Sequence, residues 1–258
     1  MWSSSALLVP VRSNNEAVRL LEKGHYEAAI HCLANAITVT RQALCAQRDS
    51  SLNSSPSPKK SRTQSFPTQI KIERRPVLTL KTNEDSLDGD SSSAEGKGYV
   101  FHYVFQIIEQ QSVDAWTDIW NKISGILVFN LAITHHMIGE MRALDCNGTQ
   151  QKVYLLKARR LYEHAYLVFI QNSVIVDFTI PMAILNNLAS IHTTMGNAVQ
   201  ANKSWQNLLT LLVGLTSMSS SSFSSSLGDD PLTRGALAGF ISNLCHLLLA
   251  DVLSAPAA

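Results

Sequence analysis

The spacing of apolar residues predicts a helix-turn-helix hairpin near the start of the chain. Across residues 13–48 apolar side chains recur every three or four positions, on one face of a helix; these are Tyr26, Ala29, Ile30, Leu33, Ala36 and Ile37. Gly24 precedes this run and predicts a turn, because glycine accepts a positive φ. The helix before the turn is predicted to begin near Asn14, which leaves residues 1–12 as a disordered N-terminus.

The pattern changes at residue 49. Residues 49–98 are rich in Ser and Pro and contain few large apolar side chains. Such a segment buries too little apolar surface to offset the entropy lost on ordering, so we predict a mostly disordered linker. Within it, residues 76–82 are a candidate short strand. Residues 99–112 begin with the apolar, β-rich run Y-V-F-H-Y-V-F-Q-I-I, which predicts an extended segment on the helical body, with a helix as the alternative.

Helical patterning returns after this segment and continues almost to the end of the chain. The predicted helices cover residues 113–140, 152–169, 181–195, 198–215 and 232–253. A Ser-rich loop at residues 216–230 ends in Asp-Asp-Pro, which is a helix-start signal for the last of them. The tail at residues 254–258 is predicted to fray.

Two of these helices carry the same motif. Residues 130–139 read N-L-A-I-T-H-H-M-I-G and residues 187–196 read N-L-A-S-I-H-T-T-M-G, so Asn, Leu, Ala, His and Gly coincide in register. In three places a small residue is followed four positions later by a large one: Ala29 with Leu33, Ala158 with Tyr162, and Ala201 with Trp205. The small residue lets two helices approach closely, and the large one fills the groove between hairpins. Because one hairpin cannot bury its apolar face alone, the repetition predicts a stack.

This pattern resembles the tetratricopeptide repeat (TPR), a helical hairpin of about 34 residues. The family's second-helix signature, G-x-Y-x-x-A-I-x-x-L-x-x-A, is matched by Gly24, Tyr26, Ala29, Ile30, Leu33 and Ala36. Gly196, Ala201 and Trp205 also keep the family spacing. The second copy departs from it, since Gly139 and Ala158 are 19 residues apart where Gly196 and Ala201 are five apart (158 − 139 and 201 − 196). An insertion of about 14 residues is therefore predicted between its two helices.

The run L-N-N-L-A at residues 185–189 is similar to kinesin light chain repeats. The whole arrangement is similar to uncharacterised TPR-like proteins of single-celled algae, from which no activity follows. The expected fold is all-α: a TPR-like solenoid of antiparallel helix hairpins, with about three repeats in residues 13–48 and 113–253 and a C-terminal capping helix. The residues assigned to packing within these repeats are Gly24, Tyr26, Ala29, Gly139, Ala158, Tyr162, Gly196, Ala201 and Trp205.

Four asparagines are the strongest candidate binding residues. Asn130, Asn187 and Asn243 share one repeat position, and counting back from Gly24 puts Asn15 at the same position. In tetratricopeptide domains this position faces the concave groove, where an amide, which both donates and accepts, bonds to the backbone of a bound peptide. The resemblance thus implies a non-catalytic scaffold that holds an unidentified partner protein, as a peptide or helix, in this groove. The alternative is that each asparagine bonds to a neighbouring helix or turn.

The charge distribution allows one rival function. With 21 basic and 20 acidic residues the chain has no global field to attract nucleic acid or a membrane. Residues 59–81, however, carry seven basic residues and one acidic one, Glu73. The alternative function is therefore a regulatory protein whose basic linker binds nucleic acid or another anionic surface. Ser57, followed by Pro-Lys-Lys, fits a proline-directed phosphorylation pattern and is a candidate phosphorylation site.

No combination of residues predicts catalysis, a metal, a cofactor or a small-molecule substrate. The four cysteines are far apart, the eight histidines contain no H-x-x-x-H pair, and no nucleophile, base and orienting group can be assembled. No window approaches the run of about 18 apolar residues typical of a membrane helix. Residues 1–10 lack the features of a secretory signal. We therefore expect an intracellular protein, cytoplasmic or nuclear.

Overall fold

The computed structural model describes residues 5–52, 70–77, 99–110, 116–144, 148–171, 178–218 and 231–254. This part of the chain is mostly helical, which confirms the predicted class and adds a small antiparallel sheet to it. The helices are α1 (Ser5–Glu22), α2 (Tyr26–Leu52), α3 (Trp116–Leu144), α4 (Gly148–Gln171), α5 (Thr179–Thr194), α6 (Ala198–Met218) and α7 (Pro231–Ser254). The two strands are β1 (Ile70–Pro76) and β2 (Tyr103–Gln110).

The chain divides into two compact units. Unit 1 comprises Met1–Thr79 and His102–Val176, and therefore contains α1 to α4 and both strands. Unit 2 comprises Leu80–Phe101 and Asp177–Ala258, and contains α5 to α7. The extended segment predicted at residues 99–112 thus changes unit between Phe101 and His102.

The first hairpin of unit 1 has the predicted turn but begins earlier than predicted. Gly24 has φ of 75°, and the turn is closed by bonds from the Gly24 and His25 N–H groups to the carbonyls of Leu21 and Leu20. Helix α1 starts at Ser5, so the prediction of a disordered stretch at residues 1–12 is wrong for residues 5–12. Pro10 lies inside α1 and lacks an N–H, yet it is buried and the helix continues through it.

Gly139 is not the turn glycine that the repeat pattern predicts. Helix α3 continues through it to Leu144, because the residues that follow are good helix formers. A Cβ atom at Gly139 would lie 2.8 Å from Leu155 Cδ2 on α4. The absence of a side chain at Gly139 therefore allows α3 and α4 to approach closely. Much of the predicted insertion forms the end of α3 and the start of α4.

The hairpin of unit 2 follows the predicted pattern closely. Helix α5 ends at a turn in which Gly196 has φ of 71° and the Asn197 N–H donates to the carbonyl of His192. Helix α6 begins directly after it, at Ala198. Beyond the hairpin, α7 packs against α5 and begins at Pro231, next to the predicted helix start.

The predicted small-and-large pairs form part of the core in both units. Ala29, Ala158 and Ala201 are buried, as are the large residues four positions after them, Leu33, Tyr162 and Trp205. The small residue of each N-L-A motif, Ala132 or Ala189, is fully buried as well. These positions are therefore buried, as a packing role requires.

The structure corrects two predictions about the linker, one at each of two elements. Helix α2 extends to Leu52, past the predicted boundary at residue 49, since adding a residue to an existing helix costs little. The strand predicted at residues 76–82 lies earlier, at Ile70–Pro76, where apolar and polar residues alternate over the first four positions, and it ends at a proline. It pairs antiparallel with β2 from Ile70 opposite Gln110 to Pro76 opposite Tyr103, with an irregularity between Lys71 and Ile72.

Several predicted features lie outside the described residues. These are Ser57, most of the linker, residues 219–230 of the Ser-rich loop, and residues 255–258 of the tail. None of the helices in the described part of the chain combines the length and the apolar character that crossing a membrane requires.

The close helix contact at Ala201 gives a test of the repeat register. Ala201 is buried on α6, whereas Ala198 on the same helix is exposed. We expect Ala201→Leu to lower the free energy of unfolding by about 1–3 kcal/mol, because the larger side chain overpacks the contact. Ala198→Leu is the matched control and should change it far less. Equal urea-denaturation midpoints for wild type and Ala201→Leu would show that the register is wrong.

Candidate functional site

The extended run Tyr99–Ile107, here called the ladder segment, is held by asparagine side chains. In an extended chain the N–H and C=O of alternate residues point to the same side. In unit 1, Asn15 on α1 holds Ile107: its Nδ2 donates to the Ile107 carbonyl at 2.7 Å, and its Oδ1 accepts from the Ile107 N–H at 3.0 Å. Asn130 on α3 holds Phe105 in the same way, at 2.8 Å and 2.9 Å. One amide therefore satisfies both main-chain groups of one residue.

Unit 2 repeats this arrangement on the preceding part of the segment. Asn187 on α5 donates to the Phe101 carbonyl at 3.1 Å and accepts from the Phe101 N–H at 2.9 Å. Asn243 on α7 makes the corresponding bonds to Tyr99 at 2.6 Å and 2.7 Å. We call Asn15, Asn130, Asn187 and Asn243 the clamp asparagines. All four predicted binding residues thus hold an extended backbone, and that backbone belongs to this chain.

This occupant is a third possibility, beside the two interpretations made from the sequence. The asparagines were expected to face a partner's peptide, or else to satisfy a neighbouring helix or turn. Instead they bind the segment that was separately predicted to be extended and to lie on the helical body. Asn130, Asn187 and Asn243 are buried and Asn15 is half-buried. In this structure the positions assigned to a partner are therefore filled from within.

Two further asparagines connect the clamps, and the sequence analysis missed them. In unit 1, Asn14 donates to the Phe105 carbonyl at 3.0 Å and accepts from Asn130 Nδ2 at 2.8 Å. In unit 2, Asn186 donates to the Tyr99 carbonyl at 2.9 Å and accepts from Asn243 Nδ2 at 2.7 Å. Each precedes a clamp asparagine, so the signal in the sequence is the Asn-Asn pair at 14–15 and at 186–187.

Strand β1 satisfies the opposite edge of the unit 1 part of the segment. Since the main-chain groups of Phe105 and Ile107 face the asparagines, those of Val104 and Gln106 face the other way. There they meet β1, where Arg75 lies opposite Val104 and Glu73 opposite Gln106. The Val77 N–H extends this pairing by donating to the His102 carbonyl at 2.9 Å. In unit 1, Asn15 and Asn130 therefore supply the partners that a third strand of the sheet would supply.

Aromatic side chains hold the ladder segment against the helices. In unit 1 the ring of Phe105 packs on Phe129, with centroids 5.1 Å apart, and Phe129 packs on Tyr162. In unit 2 the rings of Tyr99 and Phe101 both contact Phe240, at 5.8 Å and 5.9 Å. Phe101 and Phe105 are fully buried. The segment is thus bound both by its main chain and by its side chains.

A small charged cluster lies beside the segment in unit 1. His102 Nε2 is 3.2 Å from one carboxylate oxygen of Glu140, and His136 Nε2 is 3.7 Å from the other. Burial lowers the pKa of His136 to about 4, against the opposing effect of Glu140. Burial also lowers the pKa of His135 to about 4. Both histidines are therefore neutral at pH 7. Within the described residues, no three His, Cys, Asp or Glu side chains are grouped so as to hold a metal ion.

Removing a clamp should lower stability. Asn130→Ala would leave the buried Phe105 N–H and Asn14 Oδ1 without the bonds they make to Asn130. An unsatisfied buried polar group costs about 1–3 kcal/mol, so we expect a loss of at least that size in the free energy of unfolding. Asn35→Ala, at an exposed position of α2, is the control and should have little effect. Identical thermal unfolding of Asn130→Ala and wild type would contradict the described contacts.

Two glycines of α7 give a matched test of the docking of Tyr99. A Cβ atom at Gly239 would lie 2.5 Å from the Tyr99 ring, whereas one at Gly235 would meet nothing within 4 Å. Gly235→Ala should stabilise by about 0.5–1 kcal/mol, because alanine favours the helix. Gly239→Ala should destabilise by about 1–3 kcal/mol through overpacking. Equal gains in melting temperature for both variants would argue that Tyr99 is not seated there.

Comparison with known proteins leaves the site to be interpreted from its own geometry. No protein-family model, curated protein or solved structure matches the chain.

Proposed function

We propose that the protein is a non-catalytic protein-interaction scaffold of TPR-like helix hairpins that binds extended peptides through their main chain. The clamp geometry carries this proposal. Each clamp asparagine supplies one donor and one acceptor to a single residue of an extended chain. These bonds recognise the backbone and not the side chain, so within each unit they suit any peptide that lies extended along the clamps.

The repeat features support the helical part of the proposal. Two hairpins, α1–α2 and α5–α6, turn at a glycine of positive φ, and the second helix begins within two residues of it. Their buried alanines follow at the spacing that the tetratricopeptide pattern requires. The long α3–α4 hairpin departs from this pattern at Gly139. The proposed architecture is therefore a set of TPR-like hairpins, one of them elongated.

In this scaffold the ladder segment acts as a built-in ligand. A tethered ligand competes at an effective concentration of the order of millimolar, so a free peptide of similar affinity is excluded. A partner peptide gains access when the segment is weakened or when the partner makes additional contacts. The proposed binding reaction is therefore an exchange of one extended chain for another.

The exchange can be tested by weakening the segment while keeping the clamps. In the double variant Phe101→Ser and Phe105→Ser the clamp asparagines are unchanged, but two buried aromatic contacts are lost. The probe is a fluorescein-labelled synthetic copy of residues 99–110, followed by fluorescence anisotropy. We expect no binding to wild type at about 10 μM, because the tethered segment occupies the clamps. We expect saturable binding to the double variant.

The clamp asparagines provide the control for this experiment. Adding Asn130→Ala and Asn187→Ala to the double variant should lower the affinity for the probe by up to about tenfold per lost hydrogen bond. Circular dichroism must show that each variant keeps its helices. A folded double variant that does not bind the probe at about 1 mM would show that the segment is a fixed part of the core, and the proposal would then fail.

The basic-linker alternative gains no support from the described residues. Of the basic side chains in residues 59–81, the described ones are Lys71, Arg74 and Arg75, all on β1. Arg75 donates to Glu73 at 3.0 Å and to Gln106 at 3.0 Å, so part of its charge is already neutralised within the sheet. The scaffold is therefore the function that we propose.

A further inference from the structure

Unit 1 contains a second candidate binding surface on a different side of α3 from the clamp. It is an apolar cleft of about 490 Å³ between α2 and α4, with α3 as its floor. Val128 and Leu131 of α3 form the floor and are buried. On a helix, where successive residues are about 100° apart, Val128 lies about 160° and Leu131 about 100° around the axis from Asn130. The cleft is therefore separate from the surface that the ladder segment covers.

The cleft lies beyond the first turns of α2. Near the start of α2 a hydrogen bond joins it to α4, where Tyr154 Oη donates to Glu27 Oε1 at 3.4 Å. Further along, the cleft is lined by Ile37 and Leu44 on α2 and by Leu161 on α4. These three side chains are only partly buried. The cleft therefore offers apolar side chains that a ligand would cover.

The side chains that line the cleft include one permanent cation, Arg41. Arg41 on α2 and His164 on α4 line it, both side chains are exposed, and no carboxylate is among the residues that line it. Arginine keeps its charge at any physiological pH. A ligand that covers the apolar floor and carries Asp or Glu at its edge would pair with Arg41. Charge complementarity therefore selects an acidic occupant.

The geometry of the walls selects a helix. Helices bond their own N–H and C=O groups internally, so α2, α3 and α4 offer no main-chain partners in the cleft. An extended peptide lying there would leave its own backbone groups unsatisfied, whereas a helix satisfies them itself. This is the opposite of the clamp surface, where asparagines supply those partners. The lined part of α2, from Ala34 to Cys45, rises by about 17 Å, which matches about three turns of a ligand helix.

We propose that this cleft binds an amphipathic α-helix of a partner protein, with an apolar stripe that packs on Val128 and Leu131 and acidic residues that pair with Arg41. Such a ligand presents its apolar residues at positions i, i+3 or i+4, and i+7. The proposal does not depend on exchange at the clamps, because the two surfaces lie on different sides of α3. It gives the scaffold a second ligand of a different shape.

The test begins with an unbiased selection against the full-length protein. An mRNA-displayed library of random peptides about 12 residues long, the length that matches the lined part of α2, is selected against wild type. We expect enriched peptides to combine the apolar helical spacing with acidic residues. Each is then synthesised with a fluorescent label, and its binding is measured by anisotropy.

Substitutions at the cleft decide whether the selected peptides bind there. Ala34→Trp fills the cleft from an exposed position and should abolish binding. Ala28→Trp, also exposed on α2 but outside the cleft, is the matched control and should leave binding unchanged. Arg41→Glu changes an exposed residue without altering the floor of the cleft. It should lower the affinity for acidic peptides by roughly three- to tenfold.

Three outcomes would overturn the proposal. The first is that no selected peptide loses affinity on Ala34→Trp or Arg41→Glu while both variants keep the circular dichroism of wild type. The second is that cleft-dependent peptides are enriched without acidic residues, which would exclude the partner class. The third is that a bound peptide shows no helical signal by circular dichroism, which would exclude the proposed ligand shape.

Discussion

A buried extended chain must have its N–H and C=O groups satisfied on both edges, and the ladder segment meets this demand in an unusual way. In most sheets a neighbouring strand supplies the partners on each side. Here β1 does so on one edge in unit 1, while asparagine side chains projecting from helices do so on the other. The primary amide is suited to this because it carries a donor and an acceptor in the arrangement of a peptide group. The helical body can therefore hold a strand without containing a sheet of its own.

The difference in spacing between packed helices and strand residues explains why Asn14 and Asn186 are needed beside the clamp asparagines. Packed helices lie about 8–10 Å apart, whereas two residues of a strand advance by only about 7 Å. Asparagine side chains that project from neighbouring helices and bind alternate residues of the segment must therefore converge toward one another. In unit 1, Asn14 lies between the two clamps, where it accepts a hydrogen bond from Asn130 and donates one to the Phe105 carbonyl. Asn186 has the same role in unit 2. The repeated use of an Asn-Asn pair follows from this geometry.

The sequence predicted the parts of the site but not the way in which they combine. Residue spacing identified the clamp asparagines, because a shared helical position is a local property of each repeat. The extended character of residues 99–112 was predicted for an equally local reason, the run of aromatic and β-branched residues. The binding of the extended segment by the clamp asparagines depends on long-range contacts, between positions as far apart as Tyr99 and Asn243. Periodicity in the sequence does not indicate such contacts. Gly139 was misinterpreted for a related reason, since a glycine that ends a helix and one that admits a neighbouring helix look alike in sequence.

Occupation of the clamps from within has consequences for any exchange. Each hydrogen bond contributes only about 0.5–1.5 kcal/mol net, because water would otherwise satisfy the same groups. Leaving a buried amide without a partner costs more than the bond contributes. A conformation with empty clamps is therefore costly unless water enters, so in the proposed exchange an incoming peptide would replace the segment as it leaves. In unit 1 such a peptide would also present its outer edge to β1, as Val104 and Gln106 do now. The two proposed ligands thus differ in shape: a clamp ligand would be extended over its whole length, whereas a ligand of the cleft between α2 and α4 would already have satisfied its own backbone.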